Sequence, residues 1–198
     1  KERDGLAAIN GSNLINGIGC LFLHDVERWI KQAEITAAMS LEALLGTPEP
    51  YDARIQEVRG QAGQAVAAAR LRSLLGDSEI RESHRHGDAR IQDAYALRCI
   101  PQVHGPVWDA LQFTTDLVAR ELNAATDNPL VFADGTMLSG GNFHGQAVAL
   151  ACDVLAIAMA NLAVMSERRI DRLVNPDLNE GLPPFLAAAP GLESGLMM

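Results

Sequence analysis

Residues 13–45, NLINGIGCLFLHDVERWIKQAEITAAMSLEALL, decide the fold. Leu23, Val26, Ile30, Ala33, Ala37, Leu41 and Leu44 step by three and four, which is the spacing of one apolar face on an α-helix. Only Gly17 and Gly19 interrupt the run, so a single long helix is predicted. Gly46-Thr47-Pro48-Glu49-Pro50 ends it, because glycine suits a helix C-terminus and proline lacks the N–H that the next turn needs. Working outward, the periodicity predicts a shorter helix over 62–75. Another is predicted over 107–122, where Val107, Leu111, Val118 and Leu122 share a stripe and Pro106 is placed in the first turn. The polar stretch 78–88 is expected to be a loop. Asn128-Pro129 breaks the chain, and Leu130-Val131-Phe132, a turn at Asp134-Gly135, and Met137-Leu138 suit a small β-hairpin.

Residues 147–165 carry only Asp153 and Asn161 as clearly polar positions. That length also fits a bilayer. The richness in alanine, and the helical pattern running on through Ser166-Glu167-Arg168-Arg169, favour a helix at the centre of a bundle over a membrane span. Aromatic residues make up 5% of the chain, too few for a β-sandwich, so the class is mainly α with at most one short hairpin.

With 198 residues the chain is long enough to bury a core without a disulfide or metal staple. Its 48% hydrophobic content excludes intrinsic disorder. A net charge of −9, with no cluster of Lys and Arg, argues against nucleic acid and anionic membrane as partners. Cys20, Cys99 and Cys152 are odd in number and far apart, which suits a reducing cytoplasm rather than a disulfide framework. His84-Arg85-His86 with Asp88 lacks the further ligands of a zinc site, and no metal is expected. The chain starts at Lys1 without an initiator methionine, and its last residues carry no polar tail. A single helical domain over 1–198, forming the central part of a longer chain, is expected.

Three stretches can carry chemistry. If Gln92-Asp93-Ala94-Tyr95-Ala96-Leu97-Arg98 is helical, Gln92, Tyr95 and Arg98 share a face that can grip a carboxylate through the guanidinium fork; a solvated polar face would look the same. Ser139-Gly140-Gly141-Asn142-Phe143-His144-Gly145 leads into the most apolar helix. It suits either an approach of backbone amides to an anion or an entry loop capped by an asparagine. Asn10-Gly11-Ser12-Asn13 suits a turn whose Ser12 or Asn13 caps the long helix.

In this order, Asn10-Gly11-Ser12, Gln92 to Arg98, Pro101-Gln102-Val103, Thr126-Asp127-Asn128-Pro129-Leu130, Ser139 to His144 and Ser166-Glu167-Arg168-Arg169 resemble the aromatic amino acid ammonia-lyase family. Its members are the histidine, phenylalanine and tyrosine ammonia-lyases and the related aminomutases. The resemblance spans the whole chain. It implies a bundle of long helices, the ammonia-lyase and fumarase-like core, assembled as a homotetramer whose active sites are shared between subunits. It also implies a methylidene-imidazolone prosthetic group formed from an Ala-Ser-Gly segment, which this chain lacks. Glu193-Ser194-Gly195 lies at the wrong end and carries Glu where Ala is required.

By the same resemblance, the full-length protein eliminates ammonia from an L-amino acid, and this segment alone is expected to be inactive. Arg98 would hold the substrate carboxylate, Tyr95 and Asn10 would stand beside the prosthetic group, and Gln92 would orient polar groups. Phe143 would line the site, and Asn128 would support it. The Ser-Glu-Arg-Arg-Ile run and the Arg98-Cys99 pair are more similar to the histidine branch, which makes urocanate, and to bacterial tyrosine-type enzymes than to plant phenylalanine enzymes. Ala94 and His104-Gly105 keep a tyrosine or phenylalanine lyase or aminomutase open. A non-catalytic helical oligomerisation module is the alternative of another class.

Overall fold

The computed structural model describes residues 4–88 and 90–197. Helices α1 (Asp4–Ile9), α2 (Asn13–Ala43), α3 (Ala53–Arg59), α4 (Ala62–Leu74), α5 (Glu79–Ser83), α6 (Tyr95–Arg98), α7 (Ile100–Glu121) and α8 (Gln146–Val174) make up nearly all of its regular structure. Strands β1 (Leu130–Val131) and β2 (Met137–Leu138) pair antiparallel, with Leu130 opposite Leu138. The mainly α class with one short hairpin is thus observed, and the predicted bounds of α2, α4 and the hairpin hold to within two residues.

Two local expectations change, and one helix is added. Helix α7 begins at Ile100, so Pro106 lies inside it rather than in its first turn. Proline there offers no N–H to the carbonyl one turn earlier, a cost that the packing of Ile100, Val107 and Leu111 offsets. The stretch 78–88 contains α5, because the Ser78 hydroxyl accepts from the Arg81 N–H at 2.9 Å and Glu79 and Glu82 suit a helix N-terminus. Helix α3 forms between an Asp52 cap, which accepts from the Arg54 N–H, and Gly60 at φ +73°.

The chain divides into two compact units, Lys1–Arg28 with Ala110–Ile157, and Trp29–Asp109 with Ala158–Met198. In the second unit, Leu41, Leu44, Leu71, Leu97 and Ile100 form a buried cluster around Tyr51. Each fully buried leucine there contributes about 1.5–3 kcal/mol. Glu34 is buried in the same unit and accepts from the Trp108 indole at 2.7 Å while pairing with Arg70. Burial raises its pKa above the usual carboxylate value, against the lowering effect of those two partners. In the first unit Val26, Val118, Val148, Ala151 and Leu155 are buried, and the Thr114 hydroxyl reaches the Ala110 and Ala151 carbonyls.

Helix α8 departs from the expected bundle centre. Only 22% of its most apolar stretch is buried within this chain, and Leu150, Ile157 and Val164 are exposed. A helix that is apolar all round needs more covering surface than one chain of this size supplies. By length and composition alone, α8 would also be long enough to cross a membrane.

Candidate active site

Helix α6 is a single turn. Ala94 precedes it in extended conformation, and the Ala94 carbonyl accepts from both the Leu97 and Arg98 N–H groups. Asp93, almost fully buried, accepts from the Thr47 N–H at 2.7 Å and so fixes the approach to the turn. Ala96 and Leu97 point into the core, which leaves Tyr95 and Arg98, three residues apart, on the outward side. The Arg98 guanidinium carbon lies 4.8 Å from the centre of the Tyr95 ring, a cation–π stack. Among the described residues no carboxylate is paired with Arg98.

Gln92 does not continue this helix. It lies in the bend before Asp93, because α6 starts only at Tyr95. The expected helical face is therefore replaced by a corner, yet Gln92, Tyr95 and Arg98 still line one open concavity of about 680 Å³, with Ile91 and Gln102. A hydrogen-bonding amide, a phenol and a stacked guanidinium thus meet at one surface. That set recognises a carboxylate whose neighbouring groups are polar.

Asn10, Asn128 and Phe143 meet elsewhere, in the first unit, around an open concavity of about 410 Å³ that Asp127 and Ile9 also line. The Asn10-Gly11-Ser12 turn joins α1 to α2. Gly11 has φ +75°, and a Cβ there would lie 2.4 Å from the Thr126 Oγ1 and 2.5 Å from its carbonyl oxygen, so only glycine fits. Thr126 Oγ1 accepts from the Ser12 N–H at 3.3 Å, and the Ser12 hydroxyl donates to Glu121 at 2.7 Å. The cap of α2 was expected from Ser12 or Asn13; the Ser12 hydroxyl instead ties the helix start to Glu121 and accepts from the Asn16 amide.

The Asn10 amide donates to Asp127 at 3.5 Å, and Asp127 also accepts from the Asn128 N–H at 2.7 Å. The Asn128 side-chain oxygen accepts from the Ser139 hydroxyl at 3.0 Å and the Gly140 N–H at 2.7 Å. It thereby clasps the loop that carries Phe143. Asn142 is not the cap of α8: its amide donates to the Ala125 carbonyl, and the Gln146 N–H at the start of α8 donates to His144 Nδ1. Phe143 is half-exposed at the rim.

Sequence reasoning missed the supporting residues. Thr126 and Asp127 stood in a quoted motif but carried no assigned role, although a short acceptor beside Asn-Pro is a turn signal. His84, from the His-x-His pair, has its two ring nitrogens against the Ile80 and Gly46 carbonyls at 2.8 and 3.3 Å.

Residues 1–198 match the family model described as Aromatic amino acid lyase. The chain is 54% identical over 198 residues to a histidine ammonia-lyase of Geobacillus thermodenitrificans, covering all of this chain and 39% of that relative. It is 54% identical over 200 residues to one of Anaeromyxobacter sp. (strain K), again covering 39% of it. Among solved structures it resembles the tyrosine aminomutase from Streptomyces globisporus (TM-score 0.90, 37% identity, 98% of this chain and 40% of that one). It also resembles the histidine ammonia-lyase from Trypanosoma cruzi (TM-score 0.85, 42% identity, 98% and 36%). The chain therefore spans well under half the length of the proteins it matches.

Proposed function

Because this chain belongs to the aromatic amino acid lyase family, we propose that the full-length protein eliminates ammonia from L-histidine to give urocanate. The observation that carries the reading is the Arg98 guanidinium, stacked on Tyr95 and directed to an open concavity without a carboxylate partner among the described residues. Such a guanidinium binds the one group that every amino acid substrate shares. The histidine branch rests on relatives named histidine ammonia-lyase at about half identity over the whole chain. A second reading, a tyrosine or phenylalanine lyase or aminomutase, is favoured by the TM-score of 0.90 to a tyrosine aminomutase.

The family's prosthetic group is a methylidene-imidazolone, which supplies an electrophile for the substrate's amine. The residues of the smaller concavity fit it: Asn10 offers an amide donor suited to a ring carbonyl, and Phe143 offers a flat apolar wall. Asn128 keeps that wall in place through Ser139 and Gly140. At the other concavity Arg98 holds the carboxylate, Gln92 orients the polar end of the substrate, and Tyr95 presents a hydroxyl that can pass on a proton. Holding Arg98, Gln92 and Tyr95 in fixed relation to one substrate lowers the barrier to removal of its weakly acidic β-proton.

In this reading the segment acts as one helical domain of a homotetramer with shared active sites. The exposed apolar side of α8 supports burial against further copies. Alone it turns over no substrate. The free cysteines Cys20, Cys99 and Cys152 suit a cytoplasmic protein. The test is a parallel product assay of the full-length protein on L-histidine, L-tyrosine and L-phenylalanine. Urocanate from histidine alone is expected. Coumarate or cinnamate would move the protein to the second reading, and a folded tetramer without product from any of the three would support the oligomerisation module.

A further inference from the structure

A helix of one turn has no stability of its own, because nucleation fixes several residues for very few hydrogen bonds. The pose of α6, and with it that of Tyr95 and Arg98, must come from what grips the turn from outside. Two side chains from distant parts of the second unit do so. Tyr51, fully buried, donates its hydroxyl to the Leu97 carbonyl at 2.8 Å. Arg169 of α8, 2% exposed, donates Nη1 to the Ala96 carbonyl at 3.4 Å. The two inward carbonyls of the turn that presents Tyr95 and Arg98 outward are thus each held by a buried donor.

Arg169 is an unusual choice for a core. Among the described residues no carboxylate is paired with it, and its Nη2 has no hydrogen-bond partner. Burial draws its pKa down to about 10, which still leaves it a cation at neutral pH. Its neighbours do not offset that charge. Burial pushes the Tyr51 phenol well above its ordinary pKa, so it stays protonated and remains a donor. His104, fully buried on α7 with neither ring nitrogen hydrogen-bonded, is held down to about 3, by burial first and the Arg169 charge second. An apolar residue of similar size would fill this place at lower cost, since a buried charge without a counter-ion keeps its full desolvation penalty. The charge has a use in what it holds: a cation at the carbonyl end of a helix is favourable, and here that end belongs to the Tyr95–Arg98 turn.

We propose that Arg169 and Tyr51 are positioning residues for substrate binding: by holding the Ala96 and Leu97 carbonyls they fix the pose in which Arg98 meets the substrate carboxylate. The proposal rests on the carboxylate role assigned to Arg98 above.

The test is a set of double-mutant cycles in the full-length protein, with Arg169→Met, Arg169→Lys and Tyr51→Phe each made with and without Arg98→Ala. With Arg98 present, Arg169→Met is expected to raise KM for the amino acid about tenfold while kcat changes less than about threefold. Arg169→Lys should recover most of that loss, and Tyr51→Phe should raise KM about threefold. In the Arg98→Ala background each effect should shrink below about twofold, because the residues act through Arg98. Equal KM effects in both backgrounds, or a fall in Tm with unchanged KM, would overturn the proposal. If Arg169→Met does not assemble, the Tyr51→Phe cycle, which removes one oxygen, decides alone. Wild-type protein that converts no amino acid refutes the functional reading instead. The positioning claim is then decided by crystal structures of wild type and Tyr51→Phe. Loss of the 4.8 Å Arg98–Tyr95 stack in the variant supports it, and an unchanged stack overturns it.

Discussion

Around Tyr95 and Arg98 the backbone is gripped from inside a core, by Asp93, Tyr51 and Arg169, each almost or fully buried. Around Asn10, Asn128 and Phe143 the opposite holds: loops are tied to one another by side-chain bonds near the surface, from Asn10 to Asp127 and from Asn128 to Ser139 and Gly140. The first arrangement suits recognition of a fixed charge, where an ångström of play is costly. The second suits an apolar wall and an amide donor held by loop bonds. A rigid surface and a looser one are thus built by different means, the first from buried donors and the second from bonds between loops.

The largest expected effect separates the two regions directly. Arg98→Ala in the full-length protein should lower kcat/KM at least tenfold, since a hydrogen bond to a charged group is worth about 1.5–3 kcal/mol. Steady-state kinetics with L-histidine check this, and unchanged kinetics would remove Arg98 from the site. In the loop region, Gly11→Ala should cost about 2 kcal/mol in stability, since it adds a positive-φ penalty to a clash with Thr126. Gly60→Ala is the control, at φ +73° with nothing within 4 Å, and should cost only about 1 kcal/mol. Chemical unfolding of both variants gives the difference.

Next comes His104, in the rigid region. Its folded pKa of about 3 lies below the ordinary 6.5, so between those values the unfolded chain binds a proton that the folded one does not. Stability therefore rises with pH across that window and falls as pH drops through it, by about 1.4 kcal/mol per unit. His104→Leu should flatten the acid side of the stability profile by that slope while leaving pH 7.5 stability equal or higher. Thermal unfolding at pH 5.5 and 7.5 measures it, and parallel profiles for the two proteins would contradict it. The smallest effect is expected for Asn128→Ala, about 1 kcal/mol, through loss of the Ser139 and Gly140 bonds, with a rise in KM of only a few-fold.

Much of this was legible in the sequence because periodicity reports burial. The apolar steps from Leu23 to Leu44 marked α2, and Leu130 to Leu138 marked the hairpin. Tyr95, Arg98 and Phe143 stood out in the sequence through distinctive motifs, and the structure leaves Tyr95 and Phe143 exposed and Arg98 half-buried beside glycine or buried neighbours. What was not legible depended on tertiary partners. Nothing near Arg169 in sequence says that its guanidinium turns inward to the Ala96 carbonyl, 73 residues away. The spacing of three from Gln92 to Tyr95 and Arg98 makes a shared face only if the whole stretch is helical. Asp93, bonded to the Thr47 N–H, starts the turn later and makes a corner instead. The Pro106 misplacement has the same origin, since helix packing overrides a local start signal.

A crystal structure of the full-length protein with its product bound decides whether Arg98 is the carboxylate anchor. The product carboxylate is expected in a two-pronged contact with the Arg98 guanidinium, within about 3 Å of both nitrogens, with Tyr95 still stacked beneath it and the Ala96 and Leu97 carbonyls still held by Arg169 and Tyr51. A carboxylate bound by other residues, with Arg98 left unliganded on the Tyr95 ring, would contradict it.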